Sequence, residues 1–125
     1  MKVSDLMTAN PEVIHPAASL SVAEEKMRRG RFRRLPVMDD AGDLLGIITD
    51  GDLRQHTGYW ATTKVTAALI ASPVTIAPDA PLASAAELMI RHKIGGLPVV
   101  DPDGRLIGII TESDLLRVLA AQPKG

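Results

Sequence analysis

Residues 44–53 read Leu-Leu-Gly-Ile-Ile-Thr-Asp-Gly-Asp-Leu, and this stretch decides the fold. Its apolar residues, interrupted by one glycine and preceded by a turn, predict a short buried β-strand. The polar residues that follow, Thr49 to Asp52, are typical of a junction at which a strand ends and a helix begins. Their oxygen atoms can accept hydrogen bonds from the free N–H groups of the first helical turn.

The same pattern returns at residues 106–115, which read Leu-Ile-Gly-Ile-Ile-Thr-Glu-Ser-Asp-Leu. Thr111 lies 62 positions after Thr49 (111 − 49), and this offset holds upstream without a gap. Leu35-Pro36-Val37, for example, matches Leu97-Pro98-Val99. Roughly two positions in five are identical between the copies, which indicates a duplicated supersecondary unit.

The repeat predicts the domain organisation. We divide the chain into a first repeat at residues 1–58, a linker at 59–64, a second repeat at 65–121 and a tail at 122–125. A unit of about 60 residues buries too little surface to be stable alone. We therefore expect the two repeats to pack on each other and to melt as one cooperative unit.

Each repeat reads as β-α-β-β-α, a helix packed on a small sheet, so the predicted fold class is mixed α/β (α+β). We expect Ser4 to cap a helical turn within residues 3–8, and Ser21 to form a capping box with Glu24. The last helix is expected at residues 113–121. In the linker, Tyr59 and Trp60 are expected to pack on an apolar edge.

Composition excludes several classes of function. The net charge is −1 and only three residues are aromatic, Phe32, Tyr59 and Trp60, which argues against base stacking and a basic nucleic-acid surface. There is no cysteine, so disulfides, thiolate nucleophiles and cysteine zinc sites are excluded. No apolar run is long enough to span a membrane, and residues 1–5 do not resemble a signal peptide. We expect a cytoplasmic protein with neither a membrane nor a nucleic-acid partner.

Thr49 with Asp52, and Thr111 with Asp114, allow two interpretations. They can cap the following helices. They can also form a site for a polyol, because a carboxylate accepts hydrogen bonds from two neighbouring hydroxyls, as in ribose recognition. The adjacent helix N-terminus favours phosphate.

Five arginines lie between residues 28 and 34. Arg28 and Arg29 fit a solvated helix end, where cations are favourable. Arg33 and Arg34 precede a buried strand and can bind phosphate oxygens in a forked geometry. The second repeat has Gly95 and Gly96 at these positions, so only the first repeat offers cations there. The three histidines lack metal-ligand spacing, no catalytic triad is evident, and we expect no metal.

Taken together, the Leu-Pro-Val strand, the turn containing Gly42 or Gly104 and the sequence Gly-Ile-Ile-Thr-x-x-Asp-Leu, each present twice, resemble a tandem pair of CBS domains, or Bateman module. The resemblance covers residues 3–121. It implies two repeats with pseudo-twofold symmetry, two clefts between them, and binding of AMP, ADP, ATP or S-adenosylmethionine. It also implies a homodimer that regulates a partner protein and is not an enzyme, with no required cofactor.

The resemblance assigns ligand-binding residues position by position. In one cleft the family pattern places Thr49, Asp52, Arg33 and Arg34, joined from the second repeat by Thr75, Ile76, Ile94 and Gly95. In the other cleft it places Thr111 and Asp114, joined from the first repeat by Val13, Ile14 and Phe32. Asp52 and Asp114 would bind ribose hydroxyls, and the residues before each Leu-Pro-Val would approach phosphate. Two alternatives remain open: a ligand-free dimerisation scaffold, and a small nucleic-acid binder that uses the cluster from Arg28 to Arg34.

Overall fold

The computed structural model describes residues 1–124, which form two compact units. One unit, which we call the first-repeat unit, is the continuous segment Pro11–Pro73. The other, the second-repeat unit, combines Met1–Asn10 with the chain from Val74 onward. The helices and strands are α1 (Val3–Leu6), β1 (Thr8–Ala9), α2 (Leu20–Gly30), β2 (Arg34–Met38), β3 (Leu44–Thr49), α3 (Asp50–Arg54), β4 (Ile70–Ala71), α4 (Leu82–His92), β5 (Gly96–Val100), β6 (Leu106–Thr111) and α5 (Glu112–Ala120), with a 3-10 turn at Val65–Ala67 between α3 and β4.

The first-repeat unit contains a three-stranded antiparallel sheet in the order β2-β3-β4. Ile14 adds a single parallel bridge to Val37 at the edge of the sheet. Helix α2 buries Leu20, Ala23 and Met27, which recur at helical spacing along one face. These side chains pack with Leu35, Val37 and Ile48 in the core, so the strand and helix on which the site depends share one apolar layer.

The second-repeat unit has the matching sheet, in the order β1-β6-β5, and the matching parallel bridge from Ile76 to Val99. Its core contains Ala85 and Met89 of α4 together with Leu97 and Ile110 of the sheet. The mixed α/β fold class is therefore confirmed, and the two copies of the Leu-Pro-Val strand occupy equivalent places.

The compact units do not follow the boundaries of the sequence repeats. Val3, in the first repeat, is fully buried in the core of the second-repeat unit, and its N–H donates to the Ala80 carbonyl at 2.9 Å. Val65, at the start of the second repeat, is fully buried in the core of the first-repeat unit. Strands β1 and β4 belong to these exchanged segments, and the sequence did not predict them.

Several local predictions were wrong. Ser19 caps α2, accepting from the Val22 N–H, whereas Ser21 lies inside the helix. Ser4 lies within α1, where the Asp5 carboxylate instead accepts from the Lys2 N–H at 2.7 Å. Helix α5 begins at Glu112, one residue before the predicted start, because Thr111 is its N-cap.

The linker prediction was correct for only one of the two aromatic residues. Trp60 packs against the core of the first-repeat unit, and its indole N–H donates to the Leu53 carbonyl at 2.8 Å. The Tyr59 side chain is 69% exposed and does not pack as expected. Within residues 1–124, no helix is long and apolar enough to cross a membrane.

Candidate functional site

The junction between β3 and α3 is a closed hydrogen-bonded unit. One oxygen of Asp52, Oδ2, accepts from both the backbone N–H and the hydroxyl of Thr49, each at 2.9 Å. The Asp52 N–H in turn donates to the Thr49 hydroxyl at 3.3 Å. This reciprocal arrangement is a capping box, and it satisfies donors that the first helical turn would otherwise leave without partners. The other oxygen of Asp52, Oδ1, has no hydrogen bond or ion pair within residues 1–124.

The junction between β6 and α5 repeats this arrangement with one addition. Asp114 Oδ2 accepts from the Thr111 N–H at 2.8 Å and from its hydroxyl at 3.1 Å. Asp114 Oδ1, however, accepts from the Arg117 guanidinium at 2.7 Å. The first repeat has Gln55 at the position of Arg117, so the two carboxylates differ in how many of their oxygens are engaged.

Backbone hydrogen bonds place the residues before each Leu-Pro-Val strand next to these helices. The Arg33 carbonyl accepts from the Asp50 N–H at 2.8 Å, and the Gly95 carbonyl accepts from the Glu112 N–H at 2.9 Å. Arg34 faces Thr49 across the ladder between β2 and β3. In the first-repeat unit, Arg33 and Arg34 are therefore held at the helix end that carries Thr49 and Asp52.

The two other arginines that the sequence singled out are engaged elsewhere. Arg28 pairs with Glu24 at 3.4 Å and Arg29 pairs with Glu25 at 3.0 Å, both along one face of α2. These exposed pairs agree with the prediction of a solvated helix end, and they partly neutralise the basic cluster. This arrangement weakens the case for a nucleic-acid surface built on the cluster from Arg28 to Arg34.

The short extended pieces predicted to contact ligand are attached to the Leu-Pro-Val strands. Ile14 donates to the Pro36 carbonyl and accepts from the Met38 N–H, both at 3.0 Å. Ile76 makes the equivalent bonds to Pro98 and Val100, at 3.1 and 3.0 Å. Both isoleucine side chains are buried, so their contribution to a binding surface would come from the backbone and from neighbouring residues.

Lys26 supports the first extended piece, and the sequence analysis did not identify it. Its ammonium donates to Glu12 at 2.8 Å and to the Val13 carbonyl at 3.2 Å. The hydrogen bond from Lys26 lowers the pKa of Glu12 below its usual value. No spacing in the sequence connects Lys26 to Val13, because the contact depends on how α2 packs beside the extended piece.

The structure divides the predicted residues between the two units. The first-repeat unit contains Val13, Ile14, Phe32, Arg33, Arg34, Thr49 and Asp52, and the second-repeat unit contains Thr75, Ile76, Ile94, Gly95, Thr111 and Asp114. Phe32 and Ile94 are equivalent, and each packs against the core of its own unit. Thr75 is exposed. Residues 1–124 contain no cluster of three or more histidine and acidic side chains that could hold a metal ion.

A groove in the second-repeat unit was not predicted. It lies between α4 and α5, has a volume of about 610 Å³ and includes Ile94 and Gly95 in its lining. Most of the lining is apolar, including Met89, Ile90 and Leu116. The sequence feature that could have indicated this groove is the apolar character of residues 90, 116 and 119. These residues lie outside the buried apolar stripes of α4 and α5.

The fold and the duplicated strand-to-helix junctions define a tandem CBS pair. The family model for the CBS domain matches twice, at residues 3–58 and 65–121, so the chain belongs to this family. Among curated proteins, it is 39% identical to the CBS domain-containing protein DDB_G0289609 of Dictyostelium discoideum, over 94% of this chain and 90% of that protein.

Solved structures of CBS pairs are similar over nearly their whole length. CBSX2 in complex with AMP is 32% identical, with a TM-score of 0.82 over 95% of this chain and 96% of that one. The CBS domain pair of protein MJ0100, in complex with 5′-methylthioadenosine and S-adenosyl-L-methionine, is 27% identical, with a TM-score of 0.90 over 98% of both chains. Some similar proteins are enzymes: homoserine O-acetyltransferase of Methanococcoides burtonii is 36% identical over 94% of this chain, which spans only 24% of that protein.

Proposed function

We propose that the protein is a regulatory module that senses an adenosine-containing ligand, such as AMP, ADP, ATP or S-adenosylmethionine. The observation that carries the proposal is Oδ1 of Asp52, which has no hydrogen bond or ion pair among residues 1–124 and lies at the end of α3 that is bonded to the backbone of Arg33. Both similar CBS pairs described above are complexes with adenosine-containing molecules. The first-repeat site combines an acceptor for hydroxyl groups with cations for phosphate.

Each residue has a distinct proposed role. Asp52 Oδ1 accepts from a ribose hydroxyl while Oδ2 keeps the helix cap. The Thr49 hydroxyl donates its proton to Oδ2 and can therefore act toward a ligand only as an acceptor. Arg33 and Arg34 contact phosphate oxygens. The family resemblance alone supports ligand contacts by the remaining assigned residues, which are Val13, Ile14, Phe32, Thr75, Ile76, Ile94, Gly95, Thr111 and Asp114.

The proposed mechanism is regulation without catalysis. A ligand shifts the population of conformations in proportion to its differential affinity for them. A partner protein then responds to the favoured conformation. No cofactor is required for this role, since binding energy alone drives the change.

Titration calorimetry of AMP, ATP and adenosine tests the phosphate contacts. Each charge-assisted contact is worth about 1.5–3 kcal/mol. Changing Arg33 and Arg34 together to alanine should therefore weaken nucleotide binding about tenfold or more, while adenosine binding changes little. The matched control changes Arg28 and Arg29, which pair with Glu24 and Glu25, and should leave nucleotide binding nearly unaltered. Equal losses from the two double variants would contradict the proposal.

A ligand-free scaffold is the second candidate, and one observation favours it. Both Thr-x-x-Asp motifs already act as capping boxes, so helix capping alone is a sufficient structural reason for these residues. Thermal melting with a panel of nucleotides separates the two functions. Ligand at about 100 times Kd stabilises a protein by roughly 2.7 kcal/mol. If no adenosine compound raised the melting temperature, the result would favour the scaffold.

We also infer that the protein works as a homodimer. Helices α4 and α5 expose large apolar side chains at Ile90, Leu116 and Leu119, and association would remove them from water. Size-exclusion chromatography with light scattering should give the mass of two chains. A stable monomer at tens of micromolar would contradict this inference.

A further inference from the structure

The extended segment around Ile14 lies at the edge of the first-repeat sheet, and one side of its backbone is turned away from that sheet. The Ile14 N–H and carbonyl both bond to strand β2, at 3.0 Å each. In an extended chain the hydrogen-bonding groups of successive residues point to opposite sides, so the N–H and carbonyl of Val13 point away from β2. A backbone edge of this kind carries one donor and one acceptor.

The second-repeat unit has an equivalent edge at Thr75. Ile76 makes the matching bonds to Pro98 and Val100. Within residues 1–124, neither the N–H nor the carbonyl of Thr75 makes a hydrogen bond. The edge at Thr75 therefore offers a ligand one donor and one acceptor side by side.

At Val13 the acceptor is already engaged. The Lys26 ammonium donates to the Val13 carbonyl at 3.2 Å and to Glu12 Oε1 at 2.8 Å, and its side chain is 30% exposed. An ammonium has three donors, so one remains after these two bonds. The Val13 N–H has no hydrogen-bond partner in the part of the chain that the structure describes. The edge at Val13 therefore offers a ligand donors only.

The difference between the two edges follows from two residue changes between the repeats. Counting forward 62 residues, Lys26 corresponds to Leu88 and Glu12 to Val74. Leu88 and Val74 both pack against the core of the second-repeat unit. Because an apolar pair stands where the first repeat has an ion pair, no ammonium bonds to the Thr75 carbonyl.

We propose that the edge at Val13 selects a 6-oxopurine, the base of a guanosine or inosine nucleotide, through Lys26, whereas the edge at Thr75 selects adenine. The inference rests on the proposed function, since the family resemblance assigns ligand contacts to Val13 and Thr75. Guanine presents two neighbouring acceptors, O6 and N7, whereas adenine presents the N7 acceptor beside the N6 amino donor. Donors alone match the first pattern, and a donor beside an acceptor matches the second.

Adenine fits poorly at Val13 for an electrostatic reason. Its amino group would have to bring a donor toward the Lys26 ammonium, or displace that ammonium from the carbonyl. Displacement would break one charge-assisted hydrogen bond, and Glu12 alone would then hold the cation. Opposing donors discriminate strongly between ligands, because the rejected ligand meets repulsion as well as a lost bond.

Amide chemical shifts test the two edges separately. In titrations of isotope-labelled protein, GMP and IMP should move the Val13 amide saturably, with a Kd about tenfold or more below that of AMP at the same amide. AMP should instead move the Thr75 amide. The proposal would be overturned if AMP titrated the Val13 amide as tightly as IMP does, or if no nucleotide moved it.

Variants of Lys26 separate base selection from mere support of the extended segment. Lys26→Leu with Glu12→Val installs the residues of the second repeat and should abolish the preference for IMP over AMP at Val13. If this double variant fails to fold, Lys26→Met alone provides the same comparison. Lys26→Arg keeps a cation with several donors and should retain the preference. A purely supporting role would change stability but leave the ratio of the two affinities unaltered, and that result would contradict the proposal.

Failure of this inference is distinguishable from failure of the proposed function. AMP binding that Asp52→Ala abolishes would support adenosine sensing even where Val13 showed no preference between bases. A protein in which no nucleotide moved any amide would contradict both.

Discussion

Asp52 and Asp114 occupy the same place in the two repeats, yet their carboxylates have different partners. Each keeps one oxygen in a capping box. The second oxygen of Asp114 is held by Arg117, and Asp114 is only 8% exposed. We therefore expect the first-repeat junction to bind a ribose hydroxyl more readily than the second.

Asp52→Asn separates the cap from ligand binding. The asparagine carbonyl can still accept from the Thr49 N–H, so stability without ligand should fall by less than the roughly 1 kcal/mol that loss of a cap costs. Its NH₂ group cannot accept from a ribose hydroxyl, so the rise in melting temperature on adding AMP should largely disappear. Asp52→Ala should lose the carboxylate half of the capping box and also the ligand effect. If Asp52→Asn melted like the wild type at every AMP concentration, the ribose assignment would be wrong.

Exchanging Arg117 and Gln55 tests the difference between the two junctions. The Arg117 side chain is 71% exposed, so solvent weakens its ion pair with Asp114 to at most about 1 kcal/mol. Arg117→Gln should accordingly increase the ligand affinity of the second-repeat junction, the weaker site, by a few fold. The reciprocal Gln55→Arg should decrease the ligand affinity of the first-repeat junction, the stronger site, by a similar factor. Calorimetry in which neither substitution altered affinity would show that Arg117 does not compete with ligand.

The sequence singled out Thr49, Asp52, Thr111 and Asp114 because hydroxyl and carboxylate side chains at the end of an apolar strand have two main roles, helix capping and polyol binding. It did not distinguish Asp52 from Asp114. The relevant contact depends on Arg117 one turn further along α5, and its match, Gln55, lies at the end of a helix five residues long. Lys26 was missed for a similar reason, since its contact with Val13 spans 13 residues.

At the scale of elements, the last helix was predicted to within one residue, but the first strand of each predicted β-α-β-β-α repeat is only a single bridge, at Ile14 and at Ile76. Strands β1 and β4 were missed because each has only two residues and pairs with a distant strand: β1 with β6 and β4 with β3. A segment of two residues is too short to show the alternation of apolar and polar residues that indicates a strand. Their positions instead depend on glycines, Gly46 and Gly108, that allow close approach.

Gly46→Ala should destabilise the protein more than Gly108→Ala. A Cβ at Gly46 would collide with the backbone carbonyl oxygen of Ile70, so β4 would have to move away from β3. A Cβ at Gly108 would chiefly meet the flexible side chain of Met7, at 2.5 Å. We expect a cost of about 1–3 kcal/mol at Gly46 and less at Gly108. Chemical denaturation provides the comparison, and an equal or reversed order would show that β4 yields easily.

At the scale of the molecule, the internal repeat was sufficient to predict the family and fold class. It could not predict that Val3 and Val65 lie in the opposite unit from most of their own repeat. Sequence similarity records which segments were duplicated. Packing decides which core buries each apolar side chain. Because Val3 and Val65 are both apolar, the residue type does not indicate which of the two cores buries each of them.

Val3→Ala and Val65→Ala form a matched pair, since both valines are fully buried and 62 residues apart. Each substitution removes two methyl groups and should cost about 2 kcal/mol. Hydrogen exchange should accelerate in β5 and β6 for Val3→Ala, but in β2 and β3 for Val65→Ala. Acceleration within the substituted residue's own sequence repeat would contradict the exchange of segments.

The exchanged segments also bear on how such a chain could arise. A single ancestral repeat of about 60 residues would carry an opening segment whose apolar valine had no place in the core of the same copy. Two identical polypeptides could each bury the opening valine of the other in its own core. Gene duplication with fusion would then join the two copies in one chain. Fragments cut at the repeat boundary should retain this property: residues 1–58 and 59–125, expressed separately, should fold better when mixed than either does alone.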